Sequence, residues 1–313
     1  LRKRKIAEDI AVKAVEIASG NGTLSDVAAI LEQEKEDFLG EETDFVCDDI
    51  VAIRDAHLKE PPFRFRLKTL NRILGGLRRK TFGFLFARPE VGKTTFLVSE
   101  ATYIAEQVPS CILWVNNEED GTALIPRTYQ ATLRKTTQEL YKNAEASRDA
   151  YKAKIGGKIK IYDKPTASTG DIESVVRMVK PDVVFIDQLD KVRGVKADRE
   201  DLRLKAIYQW ARELAKKYNC AVVGSCQAGG TAEGKRFLDM NDVDSSHTAK
   251  QGEADWMFGL GSSSNSSEAD RRFISTCKNK LPATPEMDSA MRHGKVPVRI
   301  LPEIQIYEDV LNV

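Results

Sequence analysis

Histidine is scarce in this sequence and cysteine is unpaired. The 313 residues hold three histidines and five cysteines, and Cys47, Cys111, Cys220, Cys226 and Cys277 include no C-x-x-C spacing. A structural zinc site is therefore not expected. Several of these cysteines sit inside apolar runs, so buried free thiols in a reducing compartment are expected. No apolar run is long enough to span a bilayer and no secretory leader is visible, so no membrane partner is expected. Neither sign of charge is in excess: 48 Lys and Arg face 47 Asp and Glu, a formal net charge of +1. Any contact with nucleic acid therefore has to come from local patches, not from the charge of the whole fold.

What the sequence does have is one stretch of strand, loop and helix: Phe84-Leu85-Phe86, then Ala87-Arg88-Pro89-Glu90-Val91-Gly92, then Lys93-Thr94-Thr95. An apolar run enters, a Pro/Glu/Gly loop turns, and Lys93 opens a helix. This is the order of a phosphate-binding loop. Successive backbone N–H groups of such a loop point inward at anionic oxygens, and the positive end of the following helix adds to that field. ATP, or another nucleoside triphosphate, is the expected ligand of residues 87–95. Lys93 is placed to supply a cation to the outer phosphates. Thr94 is placed to hold a Mg²⁺, an ion that takes few protein ligands. The usual pattern opens with Gly where this chain has Ala87, a substitution that costs something only if the backbone there needs positive φ.

Around this loop the chain reads as alternating strands and helices, an α/β fold with a mostly parallel sheet. Residues 1–40 read as a small helical segment. Ile6, Ile10, Ala14 and Ile17 share one helix face, Gly20-Asn21-Gly22 stops it, and Thr23 with Asp26 starts a second helix in capping-box fashion. Residues 41–62, acidic and then proline-bearing, suit a linker. The main domain is expected over 63–313. Its further strands are 111–116, 158–162, 183–187 and 220–225, with one long polar helical region over 122–155 and helices over 171–180 and 199–218. Val183-Val184-Phe185-Ile186 is continuously apolar, the mark of a strand buried on both faces. Four later runs (256–260, 273–277, 296–301 and 304–307) are short and closely spaced and suggest an antiparallel extension at one edge. The serine-rich stretch 262–267 reads as a mobile loop.

Ligands of an open α/β sheet bind beyond the carboxyl ends of its strands. Glu118 follows the second strand, Asp187 the fourth and Gln227 the fifth. Asp187 is placed to hold the Mg²⁺ shell. Glu118 is placed to act as general base on water, with Glu119 and Asp120 competing for the role. Gln227 is placed to sense the outer phosphate.

These features, with Leu74-Gly75-Gly76-Leu77 before the loop, resemble the RecA-like domain of DnaB-like replicative hexameric helicases, including phage primase–helicases. The resemblance runs from about Phe65 to the end of the chain, and an opening Ala in the loop is common in that family. It implies an ATP-hydrolysing homo-oligomer, a hexameric ring, that moves along single-stranded DNA and unwinds duplex in the cytoplasm, or in the host cytoplasm if phage-encoded. It implies Lys93 and Thr94 as ligands of phosphate and Mg²⁺, Glu118 as the catalytic glutamate, Asp187 as the magnesium-site aspartate and Gln227 as the link from nucleotide to DNA loop. Lys278 and Lys280 match a basic pair donated across the subunit interface. The family has Arg where this chain has Lys280, and a lysine cannot make the bidentate fork, so Arg271 or Arg272 is an alternative. The family's DNA loops correspond to 192–199, with Arg193, Lys196 and Arg199, and 228–250, with Lys235, Arg236 and Lys250. Both are poor in aromatics, which favours backbone tracking over base stacking. A primase or other replication proteins are implied partners, although the family's amino-terminal collar or primase domain is not recognisable here. Two other classes share the core fold: a RecA-like recombinase or recombination mediator that forms filaments on DNA, and a nucleotide switch that moves no DNA.

Overall fold

A computed structural model describes the chain apart from residues 1, 40–47, 60–61, 245–246, 285 and 311–313. Cys47 and part of the expected linker lie outside the described residues. The chain divides into two compact units, Leu1–Glu60 and Pro61–Val313.

The first unit holds α1 (Arg2–Ala18), α2 (Leu24–Leu39) and α3 (Ile50–Lys59). Ile6, Ile10 and Ile17 of α1 and Val27 and Ile30 of α2 are half-buried, as their three- and four-residue spacing predicts. The Asp26 carboxylate accepts from the Thr23 N–H at 2.8 Å and from its hydroxyl at 3.1 Å, which fixes the start of α2. α3 occupies most of the described part of the stretch read as linker. No helix among the described residues is long and apolar enough to cross a membrane.

The second unit is built on one nine-stranded sheet. In chain order its elements are α4 (Lys68–Leu74), β1 (Phe82–Ala87), α5 (Lys93–Ala105), β2 (Ile112–Asn116), α6 (Gly121–Leu133), α7 (Thr137–Lys142), α8 (Ala144–Ile155), β3 (Ile159–Asp163), α9 (Thr169–Val179), β4 (Val183–Asp187), α10 (Glu200–Lys217), β5 (Ala221–Gln227), α11 (His247–Glu253), β6 (Trp256–Gly261), β7 (Arg271–Asn279), β8 (Lys295–Leu301) and β9 (Ile306–Asp309). The sheet order is β3-β2-β4-β5-β1-β6-β7-β8-β9. Pairing is parallel from β3 through β6 and antiparallel from β6 onward. The first of the four late runs thus belongs to the parallel part: β6 lies alongside β1. The antiparallel extension begins with β7.

Each central strand is buried on both faces because its side chains alternate between two cores. Phe82, Phe84 and Phe86 of β1 point to the α9 and α10 side with Ile207, Tyr208 and Leu214. Leu85 and Ala87 point to the α5, α6 and α8 side with Phe96, Leu97 and Ile104. Gly83 makes room for a close approach, since a Cβ there would lie 2.0 Å from the Trp256 indole. The region read as one long helix over 122–155 is three helices. α6 ends where Arg134 turns left-handed at φ 54°, a Thr136–Glu139 capping box starts α7, and the Asn143 side chain caps α8. These caps satisfy backbone donors that a continuous helix would use internally.

Cys111, Cys220 and Cys226 are buried free thiols and Cys277 is half-buried. Burial pushes the Cys220 and Cys226 thiols up to about 12, away from thiolate chemistry. The serine-rich stretch is partly shaped by Asn265, whose side chain accepts from the Ser267 N–H at 3.1 Å.

Candidate active site

β1 delivers the loop 88–92 to the carboxyl edge of the sheet, and Lys93 opens α5 directly after it. Within this loop the positive-φ residues are Glu90 at 63° and Gly92 at 104°. Ala87 is a strand residue paired with Gln227 of β5 and Leu260 of β6. The position that usually carries the first Gly therefore needs no left-handed backbone here, and Ala fits. Gly92 does need to be Gly, because a Cβ would lie 2.7 Å from Ile300 Cδ1 and 2.8 Å from the Tyr307 hydroxyl.

The loop is braced from outside. Arg272 Nε donates to the Val91 carbonyl at 2.6 Å, and the Tyr307 hydroxyl donates to the Gly92 carbonyl at 3.1 Å. The Thr95 hydroxyl donates to Gln305 Oε1 at 3.0 Å, so Thr95 faces the turn between β8 and β9. Arg88 Nε donates to Glu233 at 3.0 Å and its Nη1 to the Ala228 carbonyl at 3.2 Å. Arg88, Pro89, Glu90 and Val91 line a cleft whose other wall includes Glu233 and Leu238.

Asp187 ends β4 with 1% of its surface exposed. The Thr94 hydroxyl donates to its Oδ2 at 3.2 Å and the Ser225 hydroxyl to its Oδ1 at 2.7 Å. Burial raises its pKa, while Lys93 and these hydroxyls pull it down. A buried carboxylate beside a threonine hydroxyl is a fitting donor pair for Mg²⁺, which completes its shell with water and phosphate oxygens. Among the described residues no cluster of three or more His, Cys, Asp or Glu is arranged to hold a metal, so an all-protein cage is not the form of this site.

Glu118 follows β2 and meets the same edge. Its Oε2 lies 3.7 Å from Lys93 Nζ, its Oε1 lies 3.6 Å from Lys191 Nζ, and Gln188 Nε2 donates to Oε1. Its competitors are engaged elsewhere: Glu119 pairs with Arg127 at 3.1 Å and Asp120 caps α6 by accepting from the Thr122 N–H. Gln227 is half-buried at the end of β5 beside Ala87, and the next residue donates its N–H to the Ala87 carbonyl at 2.9 Å. Lys93, Thr94, Glu118, Asp187 and Gln227 are thus gathered at one sheet edge.

The remaining expected residues divide. Lys278 donates to the Gln251 and Gly252 carbonyls at the end of α11, and burial with the nearby Lys280 lowers its pKa to about 8. Lys280 and Arg271 are exposed, whereas Arg272 is committed to the phosphate loop. Arg193, Lys196 and Arg199 are exposed after β4, with Arg199 paired to Asp201. Lys235 pairs with Asp242 at 2.7 Å and Arg236 with Glu268 at 2.8 Å, both with half-exposed side chains. Lys250 does not fit the expectation of a DNA contact. Its side chain is 0% exposed, and Nζ donates to Asp190 Oδ2 at 2.7 Å and to the Asp244 carbonyl at 2.8 Å. A charge this deep is held by its partners and is not available to a phosphate.

Gln188, Lys191, Ser225 and Tyr307 were not legible as site residues, and Arg272 was read only as an alternative donor across the subunit interface, not as a brace on its own chain's loop. Ser225 alone had a signal, since it lies on the strand next to Asp187 and two residues before Gln227.

The pattern of the AAA domain family matches residues 53–233. The chain belongs to that family. As an AAA domain it shares its fold with a solved structure described as the ATPase domain of G40P. Identity is 19% and the TM-score 0.71, over 85% of this chain and 99% of that one. A second solved structure, of a DnaB-like replicative helicase and its interactions with primase, aligns at 18% identity and a TM-score of 0.73. That alignment covers 98% of this chain and 76% of the other. No curated protein matches the sequence. The mostly parallel sheet with an antiparallel C-terminal part is the RecA-like architecture of these neighbours.

Proposed function

We propose that this AAA domain is the ATP-hydrolysing motor of a ring-forming replicative DNA helicase, which moves along single-stranded DNA and unwinds duplex. The observation that carries the reading is the convergence at one sheet edge of Lys93, the Thr94–Asp187 pair and Glu118, with basic loops leaving the ends of β4 and β5 beside them. The loop N–H groups and Lys93 bind the phosphates and orient the outer one. Glu118 accepts a proton from water as the water oxygen bonds to the outer phosphorus. The bond to the bridging oxygen breaks and the nucleoside diphosphate leaves with that electron pair. A Mg²⁺ at Thr94 and Asp187, when bound, neutralises charge on the phosphate oxygens.

Arg193, Lys196, Arg199, Lys235 and Arg236 are the side chains offered to DNA phosphates. In a homo-oligomer, a hexameric ring in this reading, Lys280 or Arg271 reaches the nucleotide of the next subunit. The second structural neighbour was solved with its interactions with primase, and a primase is the partner proposed here by that likeness. The proposed compartment is the cytoplasm, consistent with buried free thiols.

The test is ATP turnover with and without single-stranded DNA, for wild type, Lys93→Ala and Glu118→Gln, with particle imaging of the same samples. DNA-stimulated turnover on closed rings is expected, with losses of roughly 100-fold or more in each variant. Filaments on DNA would replace this reading with a recombinase. Turnover indifferent to DNA would leave a nucleotide switch.

A further inference from the structure

Phe237 is the only Phe, Tyr or Trp in the second basic loop, residues 228–250. The sheet fixes the backbone on either side of it. Residues 235–238 cross the end of β6 so closely that a Cβ on Gly261 would lie 2.1 Å from the Arg236 carbonyl oxygen, and one on Gly259 2.7 Å from Leu238 Cβ. Glycine at these two alternate positions of the strand admits the loop. Leu238 is buried, and its carbonyl accepts from the Cys277 thiol at 3.6 Å. Phe237 is left half-exposed on this held backbone.

Its ring stands against β7 and β8. Phe273 lies opposite Pro297 and Ser275 opposite Lys295 in the antiparallel register, so the side chains of Phe273 and Lys295 project to one face. Phe237 meets the Phe273 ring edge to face, with centroids 5.2 Å apart. The exposed Lys295 ammonium sits 5.8 Å over the Phe237 ring, and the Arg236 guanidinium 5.6 Å over that of Phe273. The neighbouring cations are more exposed than the carboxylates they pair with: Lys235 is 42% exposed and Asp242 0%, Arg236 is 51% exposed and Glu268 15%. Of the nearby exposed acids, Asp239 accepts from the Asn241 N–H and Asp270 pairs with Arg299. An aromatic face among outward cations is the chemistry that receives a base of a single strand, the ring taking the base and the cations the flanking phosphates. An exposed lysine–ring contact is weaker than a base–ring stack, so a base displaces Lys295 from the ring.

We infer that Phe237 is a stacking platform for one base of single-stranded DNA, and that Lys295, outside both basic loops, takes a phosphate beside that base. The inference rests on the reading of the second loop as a DNA contact. It departs from the expectation that the loops track the backbone alone.

The experiment measures binding of the full chain, with a non-hydrolysable ATP analogue present, to labelled oligo(dT) and to an abasic strand of equal length. The abasic strand keeps every phosphate and offers nothing to stack. Wild type is expected to bind oligo(dT) roughly tenfold more tightly, the scale of one stacked base. Phe237→Leu, which keeps apolar packing on Phe273, loses this preference through weaker oligo(dT) binding and keeps the salt slope, since a stack releases no counterion. Lys295→Gln lowers the slope by about 0.7, one phosphate contact. Phe237→Trp keeps the preference, and oligo(dT) quenches its added indole, whereas the three native tryptophans are buried. Equal wild-type affinity for the two strands overturns the inference and leaves the motor reading standing. Phe237→Leu weakening both strands alike shows a structural role and overturns it too. So does quenching of the added indole by the ATP analogue without DNA, which makes the ring a nucleotide contact. An unchanged slope in Lys295→Gln overturns the part given to Lys295. A wild type that binds neither strand overturns the motor reading and the inference with it.

Discussion

Glu100 of α5 is a carboxyl buried to 1% exposure, within the helix that the phosphate loop starts. It accepts from the Arg66 N–H at 2.6 Å and the Leu67 N–H at 3.4 Å, tying the segment before α4 to α5. Burial pushes its pKa from 4.5 to about 7, held from rising further by those N–H groups and the Arg66 charge. Between the two values the folded chain binds more protons than the unfolded one. Stability from this group therefore falls as pH rises from 4.5 to about 7 and is level above that. The full change is on the order of 3 kcal/mol. Glu100→Gln is expected to flatten this slope, read as a smaller difference in Tm between about pH 5 and about pH 8 than the wild type shows. Lys250 makes the complementary point. Its charge was visible in the sequence, but its burial against Asp190 was set by contacts 60 residues apart. Charge alone does not tell a surface contact from an internal tie.

β7 and β9 act on the loop as elements, through Arg272 and Tyr307. Arg272→Ala is expected to weaken binding of a non-hydrolysable ATP analogue by roughly tenfold, the scale of one hydrogen bond from a charged donor. Isothermal titration calorimetry checks this, and unchanged affinity would show the brace to be dispensable. The strand–loop–helix of residues 84–95 was legible because its elements are adjacent in sequence and its chemistry needs fixed spacing. So were β2, β4 and β5, whose continuous apolar runs signal two-sided burial. β6 was read with the antiparallel group because its pairing with β1 crosses more than 150 residues and leaves no local mark. The division of 122–155 into three helices turned on caps at Thr136 and Asn143, single polar residues inside a polar stretch. The braces on Val91 and Gly92 left no signal, since they are carbonyl contacts indifferent to the identity of the residue that offers the oxygen.

For the whole molecule, the formal charge of +1 means that the proposed affinity for DNA has to rest on few local contacts. For single strands the logarithm of affinity falls with the logarithm of salt at about 0.7 per phosphate contact. Arg193→Ala is expected to reduce that slope by about 0.7, measured by fluorescence anisotropy of labelled oligo(dT) over a salt series. An unchanged slope would remove Arg193 from the interface.

The loop that carries left-handed Glu90 and Gly92 is braced at the Val91 and Gly92 carbonyls by contacts from far along the chain. The Arg272 and Tyr307 contacts lie 181 and 215 residues away in sequence. During synthesis the phosphate cradle leaves the ribosome long before the strands that shape it. A nascent chain therefore carries the nucleotide-binding residues without the pocket. The loop's bracing contacts are therefore complete only once the carboxyl-terminal strands have been made.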